Sequence, residues 1–372
     1  MKLKRIVALL LSALFLLSAL VGCGTTVVVG PEGDKPTATD PADTQPAETQ
    51  PAETQPAETQ PVAGGDSAPV KTGLSVAADL GKSKDASAEG DGLAQSGILL
   101  VAVTVGDDGV IDSCVIDAIQ SKINFNTSGA LTTDPATMFP SKNELGDGYG
   151  MRKASSIGKE WNEQAAAMAQ YAVGKTVDEL KGIAVDGDGK PTDADLSASV
   201  TLEIGEFVEG IEAAVNNATH MGASKGDKLS LSSETNMSKS KDASAEGDGL
   251  AQAYATFAAV TFKGDTVTSC YIDAVQANVN FDTAGHITTD LTAAPQTKNQ
   301  LGDGYGMRKA SSIGKEWNEQ AAGFCSYITG KTVAEIKGLA VDESGKATDA
   351  DLAATTTVGI GEFQALIEKA AK

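Results

Sequence analysis

Two matching stretches of the chain place hydroxyl groups a few residues after carboxyl groups. They are residues 192–201, TDADLSASVT, and residues 348–357, TDADLAATTT. In each stretch the last threonine, Thr201 or Thr357, stands six residues after an aspartate. A hydroxyl on an exposed turn can be esterified to a phosphate, and a Ser or Thr in a turn can also do no more than cap the next element. The residues themselves leave both interpretations open.

The pattern resembles the end of the FMN-binding domain family, where an aspartate precedes a Ser/Thr-Gly-Ala-Thr-x-Thr sequence. That family includes the flavin-carrying subunits of the sodium-pumping NADH:quinone reductase and of Rnf complexes, and many exported lipoproteins. The resemblance implies one covalent FMN per repeat, esterified by a flavin transferase to Thr201 and Thr357. It also implies upstream acids and inner hydroxyl positions, which are Asp195, Asp351, Ser199 and Thr355.

The resemblance continues upstream and also has departures. The sequence VTVGDDGVIDSCVID resembles the family's opening hairpin, and EWNEQAAAMAQYAVGK stands where the family has a helix that ends in Gly-Lys. Residues 120–150 have no clear counterpart in the family. Leucine replaces the family's first Ser/Thr, and its glycine is replaced by Ser197 or Ala353. These departures leave the register open by a residue or two, so Ser199 and Thr355 are also the nearest competing acceptors.

Two functions of different classes follow. The resemblance implies an extracytoplasmic electron carrier, in which the flavin performs the chemistry and the protein positions it. Such a carrier passes electrons between a membrane redox partner and an outer acceptor, and is not a stand-alone enzyme. The alternative is a cofactor-free surface lipoprotein that binds a small ligand or an envelope protein. A yellow purified protein favours the carrier, and a colourless one favours the binding protein.

The N-terminus has the features of a lipoprotein signal peptide. Three basic residues within the first five precede an apolar run over residues 6–17, which is too short for a comfortable transmembrane helix. Leu-Val-Gly-Cys follows and ends at Cys23, which is the pattern of a lipobox. Residues 1–23 are therefore predicted to be a signal peptide. Acylated Cys23 is predicted to anchor the protein in the bilayer, on the extracytoplasmic face of the cell membrane.

Composition excludes some partners and predicts a linker. Residues 24–70 contain TQPAE repeats that cannot bury enough apolar surface to fold, so they are predicted to be disordered. The net charge of -21, from 50 acidic and 29 basic residues, disfavours binding to nucleic acid. Two histidines in the whole chain and no CxxC motif argue against a metal site, and no catalytic set recurs in both halves.

The rest of the chain is a tandem duplication. The sequence KDASAEGDGLAQ occurs at residues 84–95 and 241–252, and a longer glycine-rich segment recurs unchanged. We therefore predict two homologous domains, repeat 1 over residues 71–220 and repeat 2 over residues 221–372. Each is near the usual size of an independent domain. Each is predicted to have an α+β fold, with a small antiparallel sheet and packed helices.

The glycine-rich segment is LGDGYGMRKASSIGKEWNEQAA, at residues 145–166 and 301–322. Its glycines lack the GxGxxG spacing, so it is predicted to be a turn. The alternative is a loop whose amides and basic residues meet a phosphate, and those residues are Arg152, Lys153, Arg308 and Lys309. Trp161 and Trp317 are predicted to be core anchors, with stacking on a cofactor as the alternative.

Within each repeat, apolar periodicity predicts the main elements. In repeat 1, β-rich runs flank the turn at residues 106–109, and helical spacing begins after Ser155-Ser156. Thr176 opens a capping box, and the alternation at Val200, Leu202 and Ile204 predicts a strand before a last amphipathic helix.

The cysteines after Cys23 are distributed unevenly between the repeats. Cys114 and Cys270 are repeat-equivalent, and Cys325 has no counterpart. Alternation along the predicted strand favours a small buried core residue at Cys114 and Cys270 over a reactive thiol. One cysteine per repeat cannot form a disulfide that recurs in both repeats.

Overall fold

A computed structural model describes residues 67–372. The predicted signal peptide, Cys23 and most of the predicted linker lie outside the described residues. Among the helices of the described part, none has the length and apolar composition needed to cross a membrane.

Each repeat begins with a three-stranded antiparallel sheet. The first sheet has the order β1 (Lys71–Asp79), β2 (Gly92–Val105) and β3 (Ile111–Phe125). The second has the same order, with β4 (Lys228–Asn236), β5 (Gly249–Lys263) and β6 (Thr266–Phe281). The predicted hairpins β2–β3 and β5–β6 are confirmed, and β1 and β4 add an outer strand to each.

Short helices follow each sheet and give the mixed α+β architecture. In repeat 1 they are α1 (Lys142–Leu145), α2 (Trp161–Ala172), α3 (Val177–Lys181), α4 (Ala194–Ser197) and α5 (Gly205–Asn217). In repeat 2 they are α6 (Lys298–Leu301), α7 (Trp317–Ile328), α8 (Val333–Lys337), α9 (Ala350–Ala353) and α10 (Gly361–Ala370). The predicted capping boxes of α3 and α8 are confirmed. The hydroxyl of Thr176 or Thr332 accepts from the amide of the third helical residue, and the glutamate at that position accepts from the threonine amide.

Two predicted elements are wrong. The long helix begins at Trp161 and not after Ser155-Ser156, because the Glu163 carboxylate accepts from the amide of Glu160 and fixes the first turn there. No strand forms over residues 200–204. The amide of Ile204 donates to the carbonyl of Gly189, which belongs to a loop, so this apolar alternation marks a buried connection between α4 and α5.

Both faces of each sheet are covered. Val101, Val103 and Ile116 point to the outer face of the first sheet, where they pack against α2 and α5. Leu100 and Ile119 point to the inner face, where they pack against residues of the second sheet. The sheets therefore share one apolar layer, and the described residues form a single compact unit with helices on its two outer sides.

The contacts between the repeats are reciprocal. The rings of Phe125 and Phe281 stack with centroids 4.2 Å apart and planes 7° apart. The amide of Ala86 donates to the carbonyl of Gly285, and the equivalent amide of Ala243 donates to the carbonyl of Gly129. The same surface is used on both partners, as in the interface of a twofold homodimer.

Candidate functional site

The two stretches that carry the candidate acceptors fold as short helical turns, which we call the hydroxyl turns (residues 192–201 and 348–357). In repeat 1 the Asp193 carboxylate accepts from the amides of Asp195 and Leu196, at 3.0 and 3.2 Å, and starts α4. Leu196 is buried in the core below the turn. Ser197 lies within the helix, so its backbone needs no glycine. The departures from the family's pattern are therefore compatible with the local geometry of this turn.

In each repeat the two candidate hydroxyls lie at the end of the hydroxyl turn, whereas the upstream aspartate points to solvent. The side chains of Thr201, Thr357, Ser199 and Thr355 are all half-buried at the ends of the hydroxyl turns. Asp195 and Asp351 are exposed, and within residues 67–372 neither carboxylate hydrogen-bonds to any of these hydroxyls. The acid that shapes each turn is instead Asp193 or Asp349.

A fully buried glutamine holds the candidate acceptor threonine in each repeat. Gln164 Oε1 accepts from the amide of Thr201 at 2.8 Å and from its hydroxyl at 3.2 Å. Gln164 Nε2 donates back to Ser155 Oγ and to the carbonyl of Lys159. The Gln164 side chain thus connects helix α2 to the loop that precedes it and to the hydroxyl turn.

Repeat 2 has the same arrangement with one contact more. Gln320 Oε1 accepts from the amide of Thr357 at 2.7 Å, from its hydroxyl at 3.1 Å, and from the amide of Val358 at 3.1 Å. The neighbouring hydroxyl of Thr356 is buried and donates to the carbonyl of Gln320. Thr356 is therefore closed off, and Thr357 is the more accessible hydroxyl of the two.

In repeat 2, helix α7 is in direct contact with the hydroxyl turn. The two residues at this contact both differ from their equivalents in repeat 1. A Cβ atom added at Gly323 of α7 would lie 2.8 Å from the Cβ atom of Thr355. Repeat 1 has Ala167 at the helix position and the smaller Ser199 at the turn position. The larger turn residue is thus paired with the smaller helix residue.

Acidic residues within the glycine-rich segment bind two backbone amides and the arginine of the same segment. The buried carboxylate of Glu160 accepts from the amides of Met151 and Arg152, both at 2.8 Å. The Arg152 guanidinium forms ion pairs with Asp147 and Glu163, at 2.5 and 3.0 Å. Repeat 2 repeats these contacts around Glu316 and Arg308. These contacts within the segment favour the predicted turn, and the alternative role of Arg152, Lys153, Arg308 and Lys309 beside a phosphate stays a prediction.

A different lysine stands beside the candidate acceptor. Lys159 Nζ donates to Ser199 Oγ at 3.1 Å, and Ser199 is two residues before Thr201. The repeat-equivalent cation is Lys315, which is half-buried as Lys159 is. The site thus offers a hydroxyl and an ammonium group close together, which suits the phosphate end of a nucleotide.

Each repeat also places a lysine among aromatic rings, where the glycine-rich segment begins. In repeat 2, Lys298 is buried, and its ammonium lies 4.4 to 4.9 Å from the ring centroids of Trp317, Tyr254 and Tyr305. Burial lowers the pKa of Lys298 to about 8 against the attraction of nearby Glu362. In repeat 1, burial likewise lowers the pKa of Lys142 to about 8. Both tryptophans are buried core residues, as predicted.

The buried carboxylate beside this lysine gives repeat 2 a pH-dependent stability. Burial raises the pKa of Asp273 to about 6 from an ordinary 3.8. The folded state therefore binds this proton more tightly than the unfolded chain does. The free energy of unfolding should rise as the pH falls from 7 to 5, by on the order of 1 kcal/mol. The gain should level off below about pH 4, where the unfolded chain also takes up the proton.

Denaturant unfolding of an Asp273→Asn variant at several pH values measures this contribution. The amide keeps an acceptor for the backbone amides of Ala274 and Asn299. The variant should lose part of the rise in stability between pH 7 and 5, since burial also raises the pKa of Asp117 in repeat 1, and the exposed Asp265→Asn variant should keep all of it. An unchanged slope in Asp273→Asn would show that Asp273 does not cause it. The window stays above the acid range where exposed carboxylates with lowered pKa, such as Asp290, lose their contribution.

Sequence reasoning missed the residues that build the site: Gln164, Gln320, Glu160, Glu316, Lys159 and Lys315. The available signal was a polar residue on the apolar face of the helix, unchanged in both repeats. Gln164 lies between Trp161 and Ala165, both buried. A buried polar side chain needs a hydrogen-bond partner. Because the glutamine occurs at the same position in both repeats, the same partner was to be expected in each.

Other features of the described residues lie away from the hydroxyl turns. An open cleft of about 300 Å³ is lined by Leu80 of repeat 1 and by residues of repeat 2 that include Gln276, Asn278 and Asp290. None of its lining residues belongs to a hydroxyl turn or to the glycine-rich segment. Within residues 67–372, no group of three or more His, Cys, Asp or Glu side chains is placed to hold a metal ion.

Comparison with known proteins gives a partial match. A chlorophenol reductase of Desulfitobacterium hafniense is 36% identical to this chain over 85 residues. The match covers 20% of this chain and 26% of that protein, so the chain spans about a quarter of this relative. No family model matches the chain, and no solved structure matches it.

Proposed function

We propose that the protein is an exported, lipid-anchored electron carrier with one covalent FMN in each repeat, at Thr201 and Thr357. One observation carries the proposal. In both repeats a fully buried glutamine fixes a half-buried threonine at the end of the hydroxyl turn, and the glutamine belongs to a segment whose sequence is identical in the two copies.

The residues present fit the phosphate end of FMN. Thr201 offers an ester-forming hydroxyl. The ammonium group of Lys159 is hydrogen-bonded to Ser199, which stands two residues before Thr201. The exposed turn is accessible to a transferase, and α4 and Gln164 define its shape. FMN, when attached, supplies electron transfer, and the protein supplies position and electrostatic environment.

The proposal also covers the origin and location of the protein. We infer that the two repeats are homologous domains, from the identical segments and the same order of elements. We infer that acylated Cys23 anchors the chain in the bilayer on the extracytoplasmic face, with residues 24–70 as a tether. Mass spectrometry of the N-terminal peptide tests this, because an unprocessed or unacylated N-terminus is incompatible with it.

The partial relative gives limited support. Its name states that it is a reductase, which agrees with a redox role for this chain. The redox partner in the membrane and the flavin transferase are part of the proposal and rest on the resemblance of the hydroxyl turns to the FMN-binding family.

Peptide mass spectrometry after co-expression with a flavin transferase tests the two acceptors. The wild-type chain should carry an FMN adduct on each hydroxyl turn. Thr201→Ala should remove the first adduct alone, and Thr357→Ala the second alone, because each ester needs its own hydroxyl. The conservative variant Thr201→Ser keeps a hydroxyl and should keep an adduct, and Ser199→Ala should keep both.

Two results would count against the assignment. Loss of the adduct in Ser199→Ala but not in Thr201→Ala would move the acceptor to the competing hydroxyl. The absence of adducts from both turns, with the transferase active on a control protein, would favour the cofactor-free binding protein instead.

A further inference from the structure

Two cysteine side chains of repeat 2 lie against each other in its core. Cys270 is on β6 and Cys325 is on α7, and their sulfur atoms are 3.0 Å apart. Both residues are buried, at 2% and 5% exposure. A disulfide holds its sulfur atoms about 2.05 Å apart, so a shift of about 1 Å would bring these two to bonding distance.

The pattern of each element explains why the two side chains meet. On β6, Cys270 shares the outer face with Ile272 and Ala274, which pack against the helices of repeat 2. On α7, Cys325 lies one helical turn after Ala321, which is buried in the same core. Repeat 1 has only half of this pair, because the position equivalent to Cys325 is Ala169.

We propose that Cys270 and Cys325 form a disulfide bond in the mature protein. The two thiols each lose a proton and together give two electrons to an oxidant, and a sulfur–sulfur bond forms between them. The oxidant is a thiol-reactive disulfide, either a small molecule or an exported oxidase protein. This assignment rests on the exported location within the proposed function, because such bonds persist in oxidising compartments.

The bond forms during folding. Burial raises the pKa of the Cys270 thiol well above its ordinary value, with neighbouring Cys325 as a further cause. The thiolate is the reacting form, so exchange in the folded core is slow. Once formed, the bond closes a chain segment that runs from residue 270 to residue 325. It also ties α7, which carries Gln320 and so holds Thr357, to the sheet.

Thiol trapping on the full chain tests the proposal. The protein is unfolded and reduced, then refolded in a mixture of oxidised and reduced glutathione, unfolded again and alkylated. Peptide mass spectrometry should find the Cys270 and Cys325 peptides linked to each other, and the Cys114 peptide alkylated. Alkylation of both Cys270 and Cys325 would overturn the proposal, as would a link from either of them to Cys114 or to a second chain.

Two variants separate the bond from general effects of mutation. Cys325→Ala copies the residue of repeat 1, and it should leave Cys270 alkylated. Cys114→Ala should leave the linked peptide in place. A reductant should lower the melting temperature of the wild type and of Cys114→Ala by several degrees and that of Cys325→Ala hardly at all. Equal responses in the three proteins would contradict the bond.

This test does not depend on flavin. A linked peptide in a chain without flavin adducts would support the disulfide and leave the carrier function without support. Flavin adducts on a chain whose Cys270 and Cys325 are both free thiols would support the carrier function and overturn the disulfide.

Discussion

Repeat 1 produced alone, as residues 67–225, should associate into a homodimer. In the full chain its inner sheet face is covered by repeat 2, and isolation would expose Leu74, Leu100, Ile119, Ile123 and Phe125. Monomeric proteins rarely expose an apolar patch of more than a few hundred Å². Because the contacts between the repeats are reciprocal, a second copy of repeat 1 offers an apolar face in the same arrangement as that of repeat 2.

Analytical ultracentrifugation measures this result, and unfolding at several protein concentrations gives a second readout. The dimer should be more stable at higher concentration, since unfolding and dissociation are linked. Leu100→Glu should abolish the dimer, because it would place a charge in the apolar layer, and the exposed Lys122→Glu on β3 should not. A monomer with cooperative, concentration-independent unfolding would show that the shared layer is dispensable.

The second large effect is expected from Gln164→Ala. The change removes the acceptor for the amide and hydroxyl of Thr201 and the donor to Ser155. An unsatisfied buried polar group costs about 1 to 3 kcal/mol, and the vacated side-chain volume adds to this. We therefore expect a loss of about 3 kcal/mol in the free energy of unfolding, compared with less than about 0.5 kcal/mol for the exposed Gln170→Ala on the same helix.

The same variant also tests whether the glutamine matters for attachment. With Thr201 no longer held, the FMN adduct in repeat 1 should fall strongly, while the adduct on Thr357 stays as an internal control. Denaturant unfolding and peptide mass spectrometry on one preparation give both numbers. If Gln164→Ala behaves like Gln170→Ala in both measurements, the glutamine does not organise the site.

Local patterns in the sequence predicted much of the fold. The capping boxes at Thr176 and Thr332 and the apolar stripe of α5 involve residues close together in the chain, so their meaning does not depend on distant contacts. The wrong strand at residues 200–204 had alternation but no neighbouring strand to pair with. Period alone does not distinguish a strand from a buried connection.

The long-range features could not be predicted in this way. The β2 run is apolar on both faces, which is typical of a strand covered on both sides, but nothing in it names the second sheet as the cover. The contact of Cys270 with Cys325 needs the packing of α7 on β6. The hydroxyls of the candidate site were identified from their local pattern, whereas Gln164 and Lys159 act across 37 and 40 residues of chain.

The intact mass of the protein isolated from the membranes of its native cell tests the central claim most directly. We expect a chain that begins at an acylated Cys23 and carries two FMN groups, with a yellow colour that persists after denaturation. A colourless chain without flavin mass, from cells whose flavin transferase modifies another protein, would contradict it.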